Sequence, residues 1–301
     1  MARKADWPEA EATALNYLAA VHWAAGRLED AARRLLQSLE IDRRLGQVAT
    51  QAVKLANLGL ICAALGRLGP ARAHLADALD LDRAAGAVGG EARTLANLAE
   101  AHHLLGDFDK ARTMLEHARS LHEKVGDRNA WATTTRALAA LLRDVDSHAE
   151  ALDAAQTALA VARQTGNQRL EGNTLATLGG VWYRIGKHQK AIDHYRQALD
   201  LANSIGERYL KTEALIGLAG AGDGPAAQEA LDLARQHGYR VLEGNALLAQ
   251  AEIDLRAGSF GPAAEAAKRA LAIHAETGHR PGHNRAEELL AQVGARPLTA
   301  G

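Results

Sequence analysis

A polar stripe in the first third of the chain carries residue types that could do chemistry. Arg93, Asn97, Glu100 and His103 recur every three or four residues, so on an α-helix they lie along one side. A carboxylate beside an imidazole could serve acid–base catalysis or ligate a metal. The same four side chains could instead grip a partner molecule. The choice depends on the elements that position the stripe.

The other residues suited to metal or covalent chemistry are isolated. His102 adjoins His103, but neighbouring side chains on a helix point about 100° apart and clasp one metal poorly. His279 and His283 could share a metal, yet no cysteine or carboxylate group completes a site. Cys62 lies in an apolar run and is expected to be a buried structural thiol. Phosphate-loop, nucleophile-elbow and zinc-protease motifs are missing from the sequence. We therefore expect no catalytic residues, no metal and no cofactor.

Composition narrows the protein class. The 301 residues are 48% hydrophobic but only 4% aromatic, and abundant alanine and leucine favour helices. Basic and acidic residues nearly cancel at 35 and 36, which argues against direct nucleic-acid binding. No apolar run is long enough to span a membrane, and the start lacks the apolar stretch of a signal peptide. One cysteine fits a reducing compartment, so we expect a soluble cytoplasmic protein.

Glycine recurs with a period of 40 residues. The first series is Gly46, Gly86, Gly126, Gly166 and Gly206, followed by Gly238 and Gly278. The second series lies 20 residues earlier and comprises Gly26, Gly66, Gly106 and Gly186, with Asp146 in the missing place. Leucines and alanines recur in the same phase. Because glycine closes helix ends, each repeat is predicted to be two helices that bury their apolar faces by stacking on neighbouring repeats.

The repeat resembles the tetratricopeptide repeat in its longer form of about 40 residues. The segments "LANLGLICAALGRLGPARAHLADAL" and "LATLGGVWYRIGKHQKAIDHYRQAL" carry that family's packing positions. The resemblance implies an all-α fold, a right-handed superhelical solenoid of antiparallel helix pairs. We expect an N-terminal arm at residues 1–10, about seven helix pairs at 11–278, and a capping helix with a tail at 279–301. The sixth repeat, residues 211–238, is eight residues short.

The resemblance also implies that the first helices of the repeats line a concave groove that binds a protein or peptide segment. The predicted groove residues are Tyr17, Trp23, Asn57, Arg93, Asn97, Glu100, His103, Arg136, Arg143, Asn173, Thr177, Tyr183 and Arg184. The same mapping adds Asp144, Glu213, Asn245, Glu252 and Arg256. Asparagine amides suit a peptide backbone, and arginines suit an acidic segment or a free carboxylate. The polar stripe is therefore interpreted as part of a groove rather than a metal or catalytic site.

These features predict a non-catalytic binding scaffold or sensor. "GDRNAWATTTRALAALL", "GNQRLEGNTLATLG" and "GHRPGHNRAEELLAQVG" resemble the C-terminal repeats of actinobacterial SARP-type and ATPase-containing transcriptional regulators. That resemblance implies a regulatory role, with other domains of a parent regulator as partners. Two alternatives stay open. One is a self-associating structural scaffold, a homo-oligomer, and the other is a small-molecule-sensing or enzymatic pocket in the groove. No nucleic-acid or membrane partner is expected.

Overall fold

A computed structural model describes residues 7–295, and this part of the chain is all-α, with fourteen helices in seven antiparallel pairs followed by a fifteenth helix. The helices are α1 Pro8–Ala24, α2 Leu28–Leu45, α3 Val48–Ala64, α4 Leu68–Ala84, α5 Val88–Leu104, α6 Phe108–Val125, α7 Arg128–Asp144, α8 His148–Thr165, α9 Gln168–Arg184, α10 His188–Ile205, α11 Arg208–Ala221, α12 Gly224–His237, α13 Arg240–Arg256, α14 Phe260–Thr277 and α15 Arg280–Gly294. Odd-numbered helices up to α13 are the first helices of the repeats, and even-numbered helices are the second. The predicted fold class is confirmed.

The predicted ends of the chain differ in detail from the structure. Because α1 begins at Pro8, residues 8–10 of the expected arm are helical. The rest of that arm, residues 1–6, and the expected tail, residues 296–301, lie outside the described residues.

The glycines that recur every 40 residues lie at the ends of helices. Gly46 closes α2 with φ of 68°, a left-handed conformation that glycine adopts without steric penalty. Asp146, which stands in the glycine series, also has a positive φ of 60°. Aspartate tolerates this region better than most residues, so the turn keeps its shape there.

Leucine and alanine hold each pair together. The in-phase alanines of the second helices are fully buried; they are Ala31, Ala71, Ala111, Ala151 and Ala191. Their small side chains let two helices approach closely. Leucines of the first helices fill the space between helices, and Leu58, Leu98 and Leu178 are at most 4% exposed. One cluster of buried residues extends from α10 to α15, and smaller clusters join neighbouring helices elsewhere, for example Leu75 and Leu79 with Leu98.

The sixth repeat loses about one turn from each helix. Both α11 and α12 have 14 residues, whereas the other repeats have 17 or 18 in each helix. Shortening both arms of an antiparallel pair by a similar length keeps their ends level, so the helices can still stack.

The helices form two compact units. Unit 1 comprises residues 1–103 and 107–134, and unit 2 comprises 104–106 and 135–301. The boundary falls within α7. Within the described residues, no helix has the length and hydrophobicity needed to cross a bilayer.

Candidate functional site

Polar side chains gather on one face of unit 2. The helices α9, α11, α13 and α15 form a row in which each contacts the next. Residues from this row, and from the end of α7, are joined by hydrogen bonds and charge interactions. We call this surface the first-helix face of unit 2, and its central residues are Arg143, Asp144, Tyr183, Glu213, Glu252 and Arg285.

One end of this face is an arginine held by its neighbour. Arg143 donates from Nε and Nη2 to the two carboxylate oxygens of Asp144, at 2.7 and 2.9 Å. Both side chains are about three-quarters buried. Burial disfavours the charge, but Asp144, with a smaller contribution from Glu213, raises the pKa of Arg143 above its usual value. The guanidinium is therefore a fixed positive charge.

Tyr195, a residue of a second helix, places its hydroxyl close to the Arg143–Asp144 pair. It lies on α10, is 8% exposed, and interacts electrostatically with Arg143 and Glu213. Burial raises the pKa of Tyr195 to about 12. Its hydroxyl therefore keeps its proton at neutral pH and can act as a hydrogen-bond donor.

Gly217 and Gly179 make room for the Tyr195 ring, and Gly180 makes room for Arg143. A Cβ atom at Gly217 would lie 2.2 Å from Cε1 of the ring, and one at Gly179 would lie 2.8 Å away. A Cβ at Gly180 would lie 2.7 Å from Nη1 of Arg143 and 3.5 Å from the Tyr195 hydroxyl. Any larger residue at these positions would displace the ring or the guanidinium. The tyrosine thus reaches the first-helix face through a gap left by glycine.

The sequence analysis missed Tyr195, although a signal is present. The equivalent residues in unit 1 are Leu35, Leu75 and Leu115, all buried in the core. Gly180 and Gly217 stand where the repeat places predicted groove residues such as Glu100 and Asn97. A tyrosine stands where other repeats have leucine, and glycines stand at two groove positions. This combination indicates that a side chain of the second helix extends to the first-helix face.

The other end of the face centres on Glu252. The Tyr183 hydroxyl donates to Oε2 of Glu252 at 3.2 Å, and Arg285 donates from Nε and Nη2 to Oε1 at 3.0 and 2.7 Å. The Tyr183 ring lies beside Gly220 of α11, where a Cβ atom would be in ordinary contact with it at 3.9 Å. Burial, reinforced by Glu252, raises the pKa of Tyr183. This network joins α9, α13 and α15. Arg285 was missed because α15 was interpreted only as a cap.

Two of the predicted groove arginines are already paired in unit 2. Besides the Arg143–Asp144 pair, Arg184 donates to Asp146 at 3.0 Å. Thr177 differs from the prediction, since it is 5% exposed and its hydroxyl donates to the Asn173 carbonyl. The Thr177 side chain therefore presents little surface to a ligand. Arg136, like Asn173, is half-buried on its first helix.

The remaining predicted residues belong to unit 1. They are Tyr17, Trp23, Asn57, Arg93, Asn97, Glu100 and His103, on α1, α3 and α5. Tyr17 and Arg93 are exposed, and the other five are half-buried. The His103 ring contacts Phe108 with a centroid distance of 5.7 Å. The polar stripe therefore forms a surface on α5.

Histidines are used for packing and capping. His102 is buried and lies 2.9 Å from an Asp107 carboxylate oxygen. His279 caps α15 by accepting from the Gly282 N–H at 3.2 Å, and its Nδ1 lies 3.1 Å from that of His274. Among the described residues no three histidine, cysteine or acidic side chains are grouped so that they could hold a metal.

The sequence profile of the tetratricopeptide repeat matches residues 10–84, 50–124, 90–164 and 130–204. This chain belongs to the tetratricopeptide repeat family. Comparison with curated proteins gave no match. Solved tetratricopeptide structures resemble it along most of its length, at identities that show the fold alone.

One similar structure is the Rap conjugation gene regulator of the plasmid pLS20 in complex with the Phr* peptide. Its TM-score is 0.74 at 13% identity, covering 95% of this chain and 76% of that one. A Rap protein complexed with Competence and Sporulation Factor has a TM-score of 0.61 at 12% identity, covering 98% of both chains. A signal transduction ATPase with a tetratricopeptide repeat sensor, from Pyrococcus horikoshii, has a TM-score of 0.55 at 18% identity. The match covers 94% of this chain and 44% of that protein.

Proposed function

We propose that this chain is a non-catalytic regulatory protein of the cytoplasm that holds a peptide or protein segment against the first-helix face of unit 2. The observation that carries the proposal is the hydroxyl of Tyr195, whose ring packs over Gly217 of that face and which interacts with Arg143. It places a protonated donor beside charges of both signs. A peptide backbone, which has donors and acceptors along its length, suits such a surface.

The solved relatives support a regulatory role. Two of them are described as a gene regulator with a bound peptide and a Rap protein with a bound factor. A third carries its repeats as the sensor of a signal transduction ATPase. By this analogy, ligand binding to the repeats would be communicated to other proteins or to other domains of a parent regulator.

Arg256 would select a carboxylate on the bound segment. It is exposed on α13, and its Nη1 donates to the Gly220 carbonyl at 3.1 Å. A neutral carbonyl is a weaker partner for a guanidinium than a carboxylate is. Arg143 and Arg184, in contrast, already have carboxylate partners in this structure. We therefore assign the acidic group of the ligand to the neighbourhood of Arg256.

A random-peptide phage library, selected on the full chain, would supply the probe. The best synthetic peptide would be titrated by fluorescence anisotropy against the wild type and against Asn173→Ala/Arg256→Ala. The matched control is Gln156→Ala/Arg196→Ala, which alters exposed residues of the second helices α8 and α10. We expect the first variant to bind about tenfold more weakly or worse, because it loses a charge-assisted hydrogen bond. The control should bind like the wild type.

Equal affinity for all three proteins would contradict the proposal, and so would a library that yields no binding peptide. Amidating the carboxylates of the peptide tests the role of Arg256 separately. Amidation should weaken binding to the wild type and should have little effect on the variant that lacks Arg256.

A self-associating scaffold is the second candidate function, and the exposed apolar surface of α1 favours it.

A further inference from the structure

The first helix exposes an apolar surface. Leu18 is 46% exposed and Val21 is 58% exposed, and Ala14 and Ala25 are exposed beside them. Trp7, directly before the helix, is 63% exposed. Large apolar side chains grouped on one side of a surface helix mark an interaction site more often than isolated ones do.

The same positions are buried in the following repeats. Leu58 and Leu98 are equivalent to Leu18, and Ile61 and Ala101 are equivalent to Val21; all four are at most 4% exposed. The second helix of the preceding repeat provides the cover. For example, Leu98 packs in one cluster with Leu75 and Leu79 of α4. Within residues 7–295 no helix precedes α1. The exposed apolar side of α1 therefore resembles a helix-packing surface, but no helix covers it among the described residues.

The spacing of the stripe fits another helix. Trp7, Ala14 and Val21 are seven residues apart, and Glu11, Leu18 and Ala25 form a second series with the same spacing, four residues later. Five of these six positions are apolar, which is the pattern of a short coiled-coil seam. If two such seams run antiparallel about a two-fold axis, Leu18 of one copy meets Ala14 of the other, next to the axis. Trp7 then meets Ala25, and Val21 meets Glu11.

Charge favours the same arrangement. Glu9 and Glu11 lie in the first turn of α1, and His22 lies in its last turn, with Arg27 just beyond it. Antiparallel pairing places the acidic end of each helix against the basic end of the other and opposes their dipoles. A parallel pair would bring the like charges together.

The other end of the repeat array does not offer a matching surface. The exposed side of α15 includes Asn284, Glu287, Glu288 and Gln292. A head-to-tail contact would press the carboxylates of Glu287 and Glu288 against Leu18 and Val21, which is less favourable than an antiparallel pair that places only Glu11 in the contact. We propose that two copies of this chain associate through α1 in an antiparallel, two-fold contact, with Leu18 next to the two-fold axis and Val21 further out in the same contact.

Sedimentation equilibrium of the full chain tests this interface. The wild type should sediment with twice its monomer mass of 31.9 kDa, and Leu18→Glu/Val21→Glu should sediment as a monomer. The control Val88→Glu/Val125→Glu changes two similarly exposed valines on other helices and should remain dimeric. Because all four residues are exposed, each variant should keep the wild-type circular dichroism spectrum. A monomeric wild type, a dimer that survives Leu18→Glu/Val21→Glu, or open-ended polymers would each overturn the proposal.

Cross-linking tests the direction of the pair. A chain carrying Ala14→Cys and a chain carrying Leu18→Cys, mixed and treated with a short bis-maleimide, should give mainly the mixed dimer. Cys62 is buried and should not react. Parallel pairing would instead cross-link each variant with itself, and that result would refute the antiparallel contact.

Discussion

At the junction between consecutive repeats, a buried aspartate is paired either with a lysine or with a threonine. In unit 1, Lys54 forms a buried ion pair with Asp42 of the preceding second helix. One period later Thr94 donates to Asp82 at 2.7 Å. A buried carboxylate is therefore retained while its partner changes from a cation to a hydroxyl. The repeat spacing reveals the equivalence, but only the structure shows that each pair is in contact.

Removing one partner of this ion pair should be costly. Lys54→Met leaves the Asp42 carboxylate buried without a partner, and we expect a loss of about 3–5 kcal/mol in the free energy of unfolding. Lys54→Thr supplies the hydroxyl that the next repeat uses, so its loss should be clearly smaller. Urea titration followed by circular dichroism measures both values. If the two variants lose the same stability, Asp42 does not depend on a donor at this position.

Tyr195 and Gly217 should be energetically coupled. Gly217→Ala places a Cβ atom 2.2 Å from the Tyr195 ring, which should destabilise the chain by about 1–3 kcal/mol. In a Tyr195→Leu background, which restores the residue type of the unit 1 repeats, the added methyl group should be tolerated. A double-mutant cycle by urea denaturation measures the coupling energy. Independent, additive effects would show that the glycine does not make room for the tyrosine.

At the scale of helices, the same contact between consecutive repeats is packed in two different ways. The buried alanines Ala162, Ala202 and Ala234 are each followed eight residues later by a buried leucine, namely Leu170, Leu210 and Leu242, and Ala202 and Leu210 pack in one cluster. Asp82 and His274 face a glycine at that place, Gly90 and Gly282, where a Cβ would lie 2.4 and 2.5 Å from their side chains. A large residue on one helix is therefore matched by a small one on the next.

His274 makes the junction with α15 sensitive to acid. It is fully buried, and its Nε2 atom has no hydrogen-bond partner among the described residues. Burial, with a contribution from His283, lowers the pKa of His274 from 6.5 to about 4. Between these values the unfolded chain binds a proton that the folded chain excludes. Neutral His274 therefore makes its full contribution to the free energy of unfolding above pH 6.5. That contribution falls as the pH drops toward 4, by at most about 3 kcal/mol.

Removing the buried imidazole should remove this sensitivity. His274→Ala introduces the residue type of Ala234 at the preceding junction. Gly282 is kept, because a Cβ atom there would also lie 2.5 Å from Nδ1 of His279, which caps α15. We expect the variant to lose the part of the pH dependence that arises between pH 6.5 and 4, when unfolding is measured in urea at several pH values. His117→Ala, at an exposed histidine, serves as the control and should behave like the wild type. An unchanged pH profile in His274→Ala would assign the acid response to other groups.

At the scale of the whole molecule, the period of 40 residues was enough to predict the fold. Leucines such as Leu58 and turn residues such as Asp146 occupy fixed places in every repeat, and their burial or backbone conformation follows from local packing. The site was less predictable because its contacts join distant repeats. Tyr195 reaches this face only because Gly217 leaves room for its ring, and Arg285 meets Glu252 only because α15 packs on α13. A periodic sequence does not encode these distances in its spacing.

The two units are built from the same repeat but differ in their first-helix residues. In unit 1 these helices present Asn57, Asn97 and Glu100, whereas unit 2 presents paired charges and tyrosine hydroxyls. Substitutions at Asn57 and Asn97 should therefore leave the affinity for a ligand of unit 2 nearly unchanged if the segment lies against unit 2 alone. Anisotropy titration of Asn57→Ala/Asn97→Ala with the selected peptide measures this. A tenfold loss would extend the binding surface to unit 1.

Hydrogen–deuterium exchange of the full chain, with and without the library-selected peptide, locates the binding surface. We expect the peptide to slow exchange in α9, α11, α13 and α15, including the segments that carry Tyr183, Glu252 and Arg285. Exchange in the outer turns of α8, α10 and α12 should change little. Protection confined to those second helices, or to unit 1, would contradict the assignment of the binding surface to the first-helix face of unit 2.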